Sequence, residues 1–298
     1  MTDGTLSVVA DTHCHTGGGP LSHPDRGVLY WVDVPRGHLF EYDPVFDDHE
    51  RLLDYDGRIG ALTLQADGSL LLFCDRGRVV PWHPEEGLGD LVVDFVDPER
   101  EQQVTGAVAD PAGRVYAGTA AATGDGGRLY RLDADATTTV IEDDVPAPGG
   151  LAFGPDRRGL YVTEPDADRV CRYDYDGDSG ALSGRDTVVD ATDIEGEPVG
   201  VAVDTGGCVW VSFRDGGRLA GYDPSGREQR REPFPARTVS ATAFGGPDHD
   251  TAYVTTSLGT PDGDPGTRET EGAGAGALFA VNLGVSGGPV FRSRVGRD

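Results

Sequence analysis

A turn followed by a short apolar strand with a bulky residue near its centre recurs six times along the 298-residue chain. The copies are Gly27–Asp33, Gly68–Asp75, Gly113–Thr119, Gly159–Glu164, Gly207–Ser212 and Thr251–Thr256. Aligning Tyr30, Leu72, Tyr116, Tyr161, Trp210 and Tyr253 gives steps of 42, 44, 45, 49 and 43 residues. A second apolar unit follows each copy, as in Leu39–Pro44, Val79–Pro84 and Leu278–Asn282, and a third precedes each, as in Ile59–Gly68 and Gly150–Asp156. No window holds a helical period for more than two turns. The 45 glycines and 20 prolines suit many short strands joined by turns.

A period of 40–50 residues with three or four strands per copy is the signature of a propeller blade. The expectation is therefore an all-β chain, a six-bladed β-propeller filling residues 1–298 as one domain. Closing the blades into a ring leaves only short sheet edges. Residues 6–10 precede the first copy and are expected to pair with the last blade, latching the ring. No linker divides the repeats into separate sandwiches. In a propeller the innermost strands line a central channel, so a functional site draws one or two residues from each of several blades.

The charge narrows the function classes. The chain has 51 Asp+Glu against 25 Lys+Arg, a net −26, and every one of the 25 cations is arginine. Without a basic cluster, nucleic-acid binding is not expected. No run approaches 18 apolar residues, and the first six residues show no leader pattern, so neither a membrane span nor an export signal is expected. Self-repulsion from −26 is tolerable when the Debye length is about 3 Å, as at roughly 1 M salt. A lysine-free, aspartate-rich chain thus points to a high-salt habitat. Cys14, Cys74, Cys171 and Cys208 are separated by 60, 97 and 37 residues, which matches neither a zinc site nor a disulfide framework. A reducing cytoplasm is the expected setting, with the chain a monomer or small oligomer.

The turns between the strands carry a resemblance. Gly17-Gly18-Gly19-Pro20, Asp110-Pro111-Ala112-Gly113-Arg114, Gly149-Gly150-Leu151-Ala152-Phe153, Pro198-Val199-Gly200 and Gly216-Gly217-Arg218-Leu219 resemble, in order, the blade motifs of the regucalcin (senescence marker protein 30)/gluconolactonase family. The resemblance covers about residues 8–283. It implies a six-bladed propeller, hydrolysis of sugar lactones, and one divalent metal at the channel mouth.

At the positions that match the family's ligands, this sequence departs from it. The first-blade Glu is replaced by Gly18, the fourth-blade Asn by Gly149, and the fifth-blade Asp, ligand and proposed base, by Val199. The family's substrate-contacting Arg-x-Asn-Asp aligns with Gln103-Val104-Thr105-Gly106. Calcium wants about 6–8 oxygen ligands, and glycine and valine side chains supply none. No metal is therefore expected at that site, and a divalent cation such as calcium or zinc only if the site has been rebuilt from other residues. A rebuilt site would take the form of a substitute carboxylate pair or an arginine-lined anion pocket. The candidates are Arg58, Gln103, Thr105, Glu164, Glu197, Arg214 and Ser240. Strand alternation puts Glu197, and Glu195 beyond it, on the face of Val199.

Two further segments invite a functional reading. Asp11-Thr12-His13-Cys14-His15 would place His13 and His15 on one strand face, a transition-metal pair or simply the polar edge of a first strand. The run Gly259–Ala277 is either a lid over the channel or a plain connection. Three functions follow: a sugar-lactone hydrolase, a non-catalytic propeller binding a sugar lactone, sugar acid or other small molecule, and a protein-binding scaffold. The last is weakest, because the repeats lack the WD dipeptide and the surface charge disfavours sticky patches.

Overall fold

The computed structural model describes residues 6–100, 102–120 and 126–297. Met1–Thr5, most of the stretch read above for a leader, lies outside them. The described residues form six four-stranded antiparallel sheets arranged as the blades of a β-propeller. From the channel outwards, blade 1 is built from Gly17–His23, Val28–Asp33, His38–Asp43 and Asp48–Asp54, and blade 2 from Ile59–Leu64, Leu70–Cys74, Arg78–His83 and Gly87–Leu88. Blade 3 takes Gln103–Ala109, Val115–Ala120, Gly127–Leu132 and Thr138–Val145, and blade 4 Leu151–Phe153, Gly159–Glu164, Arg169–Tyr175 and Leu182–Asp190. Blade 5 takes Glu197–Val203, Val209–Arg214, Arg218–Tyr222 and Glu228–Pro233. Blade 6 is made of Thr238–Gly245, Thr251–Ser257 and Leu278–Asn282, and Ser7–Ala10 from the other end of the chain supplies its outermost strand, with Val8 opposite Phe279.

The repeat is the second strand of each blade. These strands are buried on both sides, which is why they read as near-continuous apolar runs. Val28–Asp33 and Leu70–Cys74 have no exposed residue, and Trp31, Tyr116 and Trp210 are within 2% of complete burial. Outer strands alternate with solvent instead, as in Glu228–Pro233. Core clusters form between neighbouring blades: Val96, Ala61 and Phe73 of the second pack on Val115 and Tyr130 of the third. Each fully buried large side chain is worth roughly 1.5–3 kcal/mol.

Glycine sets how closely the innermost strands approach. A methyl group on Gly60 would overlap the Val104 carbonyl of the next blade, and one on Gly106 would overlap the Gly149 carbonyl. The blades therefore meet backbone to backbone at the channel wall.

Beyond Asn282 the chain does not stop at the ring. It runs beneath the channel as a strap. Thr205 N–H donates to the Ser286 carbonyl (2.8 Å), Ser293 N–H to Leu64 (2.7 Å) and Arg294 N–H to Gly113 (2.8 Å). Gly288–Phe291 border the cavity from below, and Val295 is completely buried in the core between blades 2 and 3. Among the described residues no helix is long and apolar enough to cross a membrane.

Candidate functional site

The channel opens into a cavity of about 690 Å³ lined by the innermost strand of every blade. A register shift marks its mouth in five blades. One strand residue is left without a partner at Gly60, Thr105, Val199 and Ser240, and the same kind of shift spans Gly19–Pro20 in blade 1. In blade 4 the innermost strand begins at Leu151, just after Gly149 and Gly150. Bulges of this kind re-aim a side chain and recur beside active sites. Here they put one residue per blade at the mouth.

The side chains of that ring are small. Gly18, Gly60, Gly149 and Val199 offer no polar atom. Thr105 donates its hydroxyl to the Pro148 carbonyl, and Ser240 donates to the Thr255 carbonyl at 2.9 Å. The space for a larger ligand at the fourth-blade position is closed as well. A Cβ on Gly149 would stand 2.7 Å from the Thr163 hydroxyl and 2.9 Å from the Val199 carbonyl. Among the described residues no three His, Cys, Asp or Glu side chains come together to hold a metal ion. The side chains at Gly18, Gly149 and Val199 do not fit a calcium ion's need for carboxylate and amide oxygens.

Charge enters the mouth from outside the ring. Arg58, just before the innermost strand of blade 2, lies 2.7 Å through Nη1 from Oδ1 of Asp262. Arg214, ending the second strand of blade 5, gives Nη2 to Oε2 of Glu197. Burial draws the Arg214 pKa below its ordinary value, against the pull of Asp215 and Asp166. A guanidinium is so strong a base that it still carries its charge at neutral pH. Asp166 lies on the turn Pro165–Ala167 and also lines the cavity.

Of the sequence candidates, the structure brings Arg58, Gln103, Thr105, Arg214 and Ser240 together with Gly18, Gly149 and Val199 on the cavity wall. It does not bring the others. Glu164 is completely buried outside the lining, its carboxylate held by Arg169 at 2.7 Å and Arg185 at 2.8 Å. Glu197 misses the cavity because the shift at Val199 interrupts the alternation that would have aligned the two; it meets Arg214 instead. Glu195 is exposed, and among the described residues only its backbone carbonyl is engaged, by Arg218. The first strand ends at Ala10, so His13 and His15 share no strand face. His13 takes a left-handed φ of 50° and sits exposed beside Asp11 (3.7 Å), whereas His15 is buried against Gly259. Gly259–Asp262, the start of the long loop, lie over the mouth. Asp166, Asp262 and the fully buried Ser257, a cavity-wall residue whose hydroxyl has no partner among the described residues, escaped sequence reasoning. Loop carboxylates in a chain with 51 acids carry no distinguishing signal.

Residues 16–258 match the SMP-30/Gluconolactonase/LRE-like region. The chain belongs to this family. It is 43% identical over 293 residues, 98% of this chain and 99% of the relative, to the pentonolactonase XacC of Haloferax volcanii. It is 30% identical over 294 residues, covering 95% and 96%, to a 6-deoxy-6-sulfogluconolactonase of Pseudomonas putida. Among solved structures, a calcium-binding regucalcin of Agrobacterium tumefaciens superposes with a TM-score of 0.87 at 21% identity, covering 98% of this chain and 97% of that one. That likeness shows the shared fold. In this member of the family the ring at the mouth is glycine, valine and hydroxyl, flanked by two arginines.

Proposed function

We propose that this protein hydrolyses sugar lactones, with five-carbon aldonolactones the first class to test. The observation that carries the reading is the 43% identity to a pentonolactonase across essentially the whole of both chains. The cavity suits it: about 690 Å³, open at one end, apolar below and polar at the rim, as small-molecule sites are. Gly18, Gly149 and Val199 motivate a second reading, a propeller that binds a sugar lactone or sugar acid without turning it over. The usual route asks a metal to polarise the ester and a carboxylate to take water's proton, and both are missing from their family positions.

Continuous titration of acid release from pentono- and hexonolactones, in both low and molar salt, tests the proposal. Turnover well above the uncatalysed rate supports hydrolysis. Saturable binding without turnover supports the second reading and removes the first.

A further inference from the structure

Among the described residues four charged side chains line the cavity: Arg58, Asp166, Arg214 and Asp262. Arg58 comes from blade 2 and Arg214 from blade 5, which are opposite positions in a ring of six. A guanidinium carries five N–H donors. Arg58 gives only Nη1 to Asp262, and Arg214 only Nη2 to Glu197. Among the described residues the other side-chain nitrogens of both forks have no protein acceptor. They border a cavity whose remaining wall is mostly glycine, alanine, valine and leucine. Asp166 makes no side-chain hydrogen bond or ion pair among the described residues, yet it lies close enough for its charge to act on Arg214. The mouth thus presents two half-used cations on opposite blades and one uncommitted carboxylate near the second.

We propose that this site activates its lactone through the opposed guanidiniums of Arg58 and Arg214 in place of a divalent cation, with Asp166 as the general base. The inference rests on the lactone-hydrolase reading and supplies residues for it. In the step, Asp166 takes a proton from water as the water oxygen bonds to the lactone carbonyl carbon. The carbonyl π pair moves onto oxygen, where Arg214 N–H groups receive the developing charge. When that pair returns, the bond from carbon to the ring oxygen breaks. The ring oxygen leaves with the proton from Asp166 as a hydroxyl, and the product acid gives its own proton to solvent. Arg58 holds substrate oxygens from the far side and, after ring opening, helps bind the new carboxylate. A fixed donor aimed at a developing oxyanion is worth about 10²–10³ in rate, and a positioned base about 10²–10⁴. Guanidinium suits the task because it stays charged and binds two oxygens at once.

The test begins with the wild type, dialysed exhaustively against chelator and checked for residual metal, then assayed on pentonolactones. Turnover is expected to persist undiminished. Arg214→Gln should lower kcat/KM by about 10²-fold or more. Asp166→Asn should lower kcat by about 10²-fold or more and remove the acidic limb of the pH–rate profile. Calorimetry with the aldonate product should show binding weakened about tenfold by Arg58→Gln and by Arg214→Gln. Melting curves check that each variant is folded; all three side chains lie at the mouth and outside the core clusters. Activity that chelator abolishes and a divalent cation restores would overturn the arginine assignment and leave the lactonase reading standing. So would an Arg214→Gln enzyme within twofold of wild type. A wild type that opens no lactone would defeat the lactonase reading itself before any substitution is made, and this mechanism with it.

Discussion

Asp262 reaches across the cavity mouth to Arg58, its Oδ1 lying 2.7 Å from Nη1 of a residue 204 positions earlier in the chain. The contact ties the loop that follows the second strand of blade 6 to the approach of blade 2, and the start of that loop, Gly259–Asp262, borders the cavity.

The pair is exposed on its acidic side, and such pairs are worth about 0–1 kcal/mol. Asp262→Ala should shift Tm by less than about 3 °C. It should nevertheless raise amide exchange across Gly259–Gly266, because those residues lose their tie to blade 2. The effect should shrink as salt rises toward roughly 1 M, where the Debye length falls to about 3 Å. Hydrogen exchange at two salt concentrations reads this, and unchanged protection at low salt would show that the loop is held by other contacts.

Glu164 separates a structural carboxylate from a functional one. It is completely buried beneath Arg169 and Arg185, which are themselves about one-third and one-quarter exposed. Removing it strands two cations that water can still reach, so the loss should fall below the 3–5 kcal/mol typical of a fully buried pair. Glu164→Ala is expected to cost about 2–3 kcal/mol in denaturant unfolding while leaving KM for any lactone unchanged. A raised KM with unaltered stability would return Glu164 to the site.

The alkaline side of the stability curve is set by buried acids. Burial pushes the thiols of Cys14, Cys74 and Cys208 from 9.0 up to about 12, and the Tyr222 hydroxyl likewise to about 12. The folded state keeps these protons where the unfolded chain releases them. Their stabilisation is therefore whole below the unfolded thiol value, and it drains away as pH climbs from about 9 to about 12. The unfolding midpoint should fall progressively over that window. At pH 8, Cys14 and Cys74 should resist alkylation in the native protein and react once it is unfolded. Rapid native labelling of both would contradict their placement.

How far the sequence reached follows from what makes each element. The second strands were legible because burial on both sides writes an apolar run, and the steps of 42–49 residues between Tyr30 and Tyr253 follow from blades of similar size. Positions 18, 149 and 199 were legible because tight turns preserve their glycines and prolines, and all three reach the cavity wall. Glu197 was misplaced because a register shift leaves no mark in a residue pattern. His13 and His15 were misplaced because the strand stops at Ala10 and His13 turns left-handed, which no periodicity foretells. Asp166 and Asp262 sit on aperiodic loops. The strap beyond Asn282 was missed because it bonds to residues as distant as Leu64 and Gly113 while forming no strand of its own.

That strap gives a direct measurement. Ser293 Oγ is 2.6 Å from Oε1 of Gln65, and Val295 is completely buried among Val93, Val115 and Leu132. Val295→Ala removes two methyl groups from a packed site, which should cost about 2 kcal/mol. Deleting residues 286–297 should cost more, because Leu64, Ala66, Thr205 and Gly113 all lose backbone partners. It would also open the cavity from below. Denaturant midpoints rank the two variants, and a truncated protein as stable as the full chain would show that the strap merely lies against the ring.

The glycines at the mouth make the ring's alignment testable by construction. Val199 is half-buried on the cavity wall, so Val199→Asp should fold and place one carboxylate at the mouth. At Gly18 a Cβ would sit 3.0 Å from Cγ2 of Val34, a contact that a small side-chain shift relieves. Gly149→Asn is the hard change, because its Cβ would stand 2.9 Å from the backbone carbonyl of Val199, which cannot rotate away. Overpacking of that kind costs about 1–3 kcal/mol. The Gly18→Glu, Val199→Asp pair should therefore be the better-behaved protein and should gain measurable calcium affinity by calorimetry, since two converging carboxylates supply hard oxygen donors and neutralise the ion. Adding Gly149→Asn should lower stability further even where it adds a ligand. If the pair folds and its affinity for calcium stays that of the wild type, positions 18 and 199 do not face one another across the mouth, and the correspondence between this ring and the family's metal site fails.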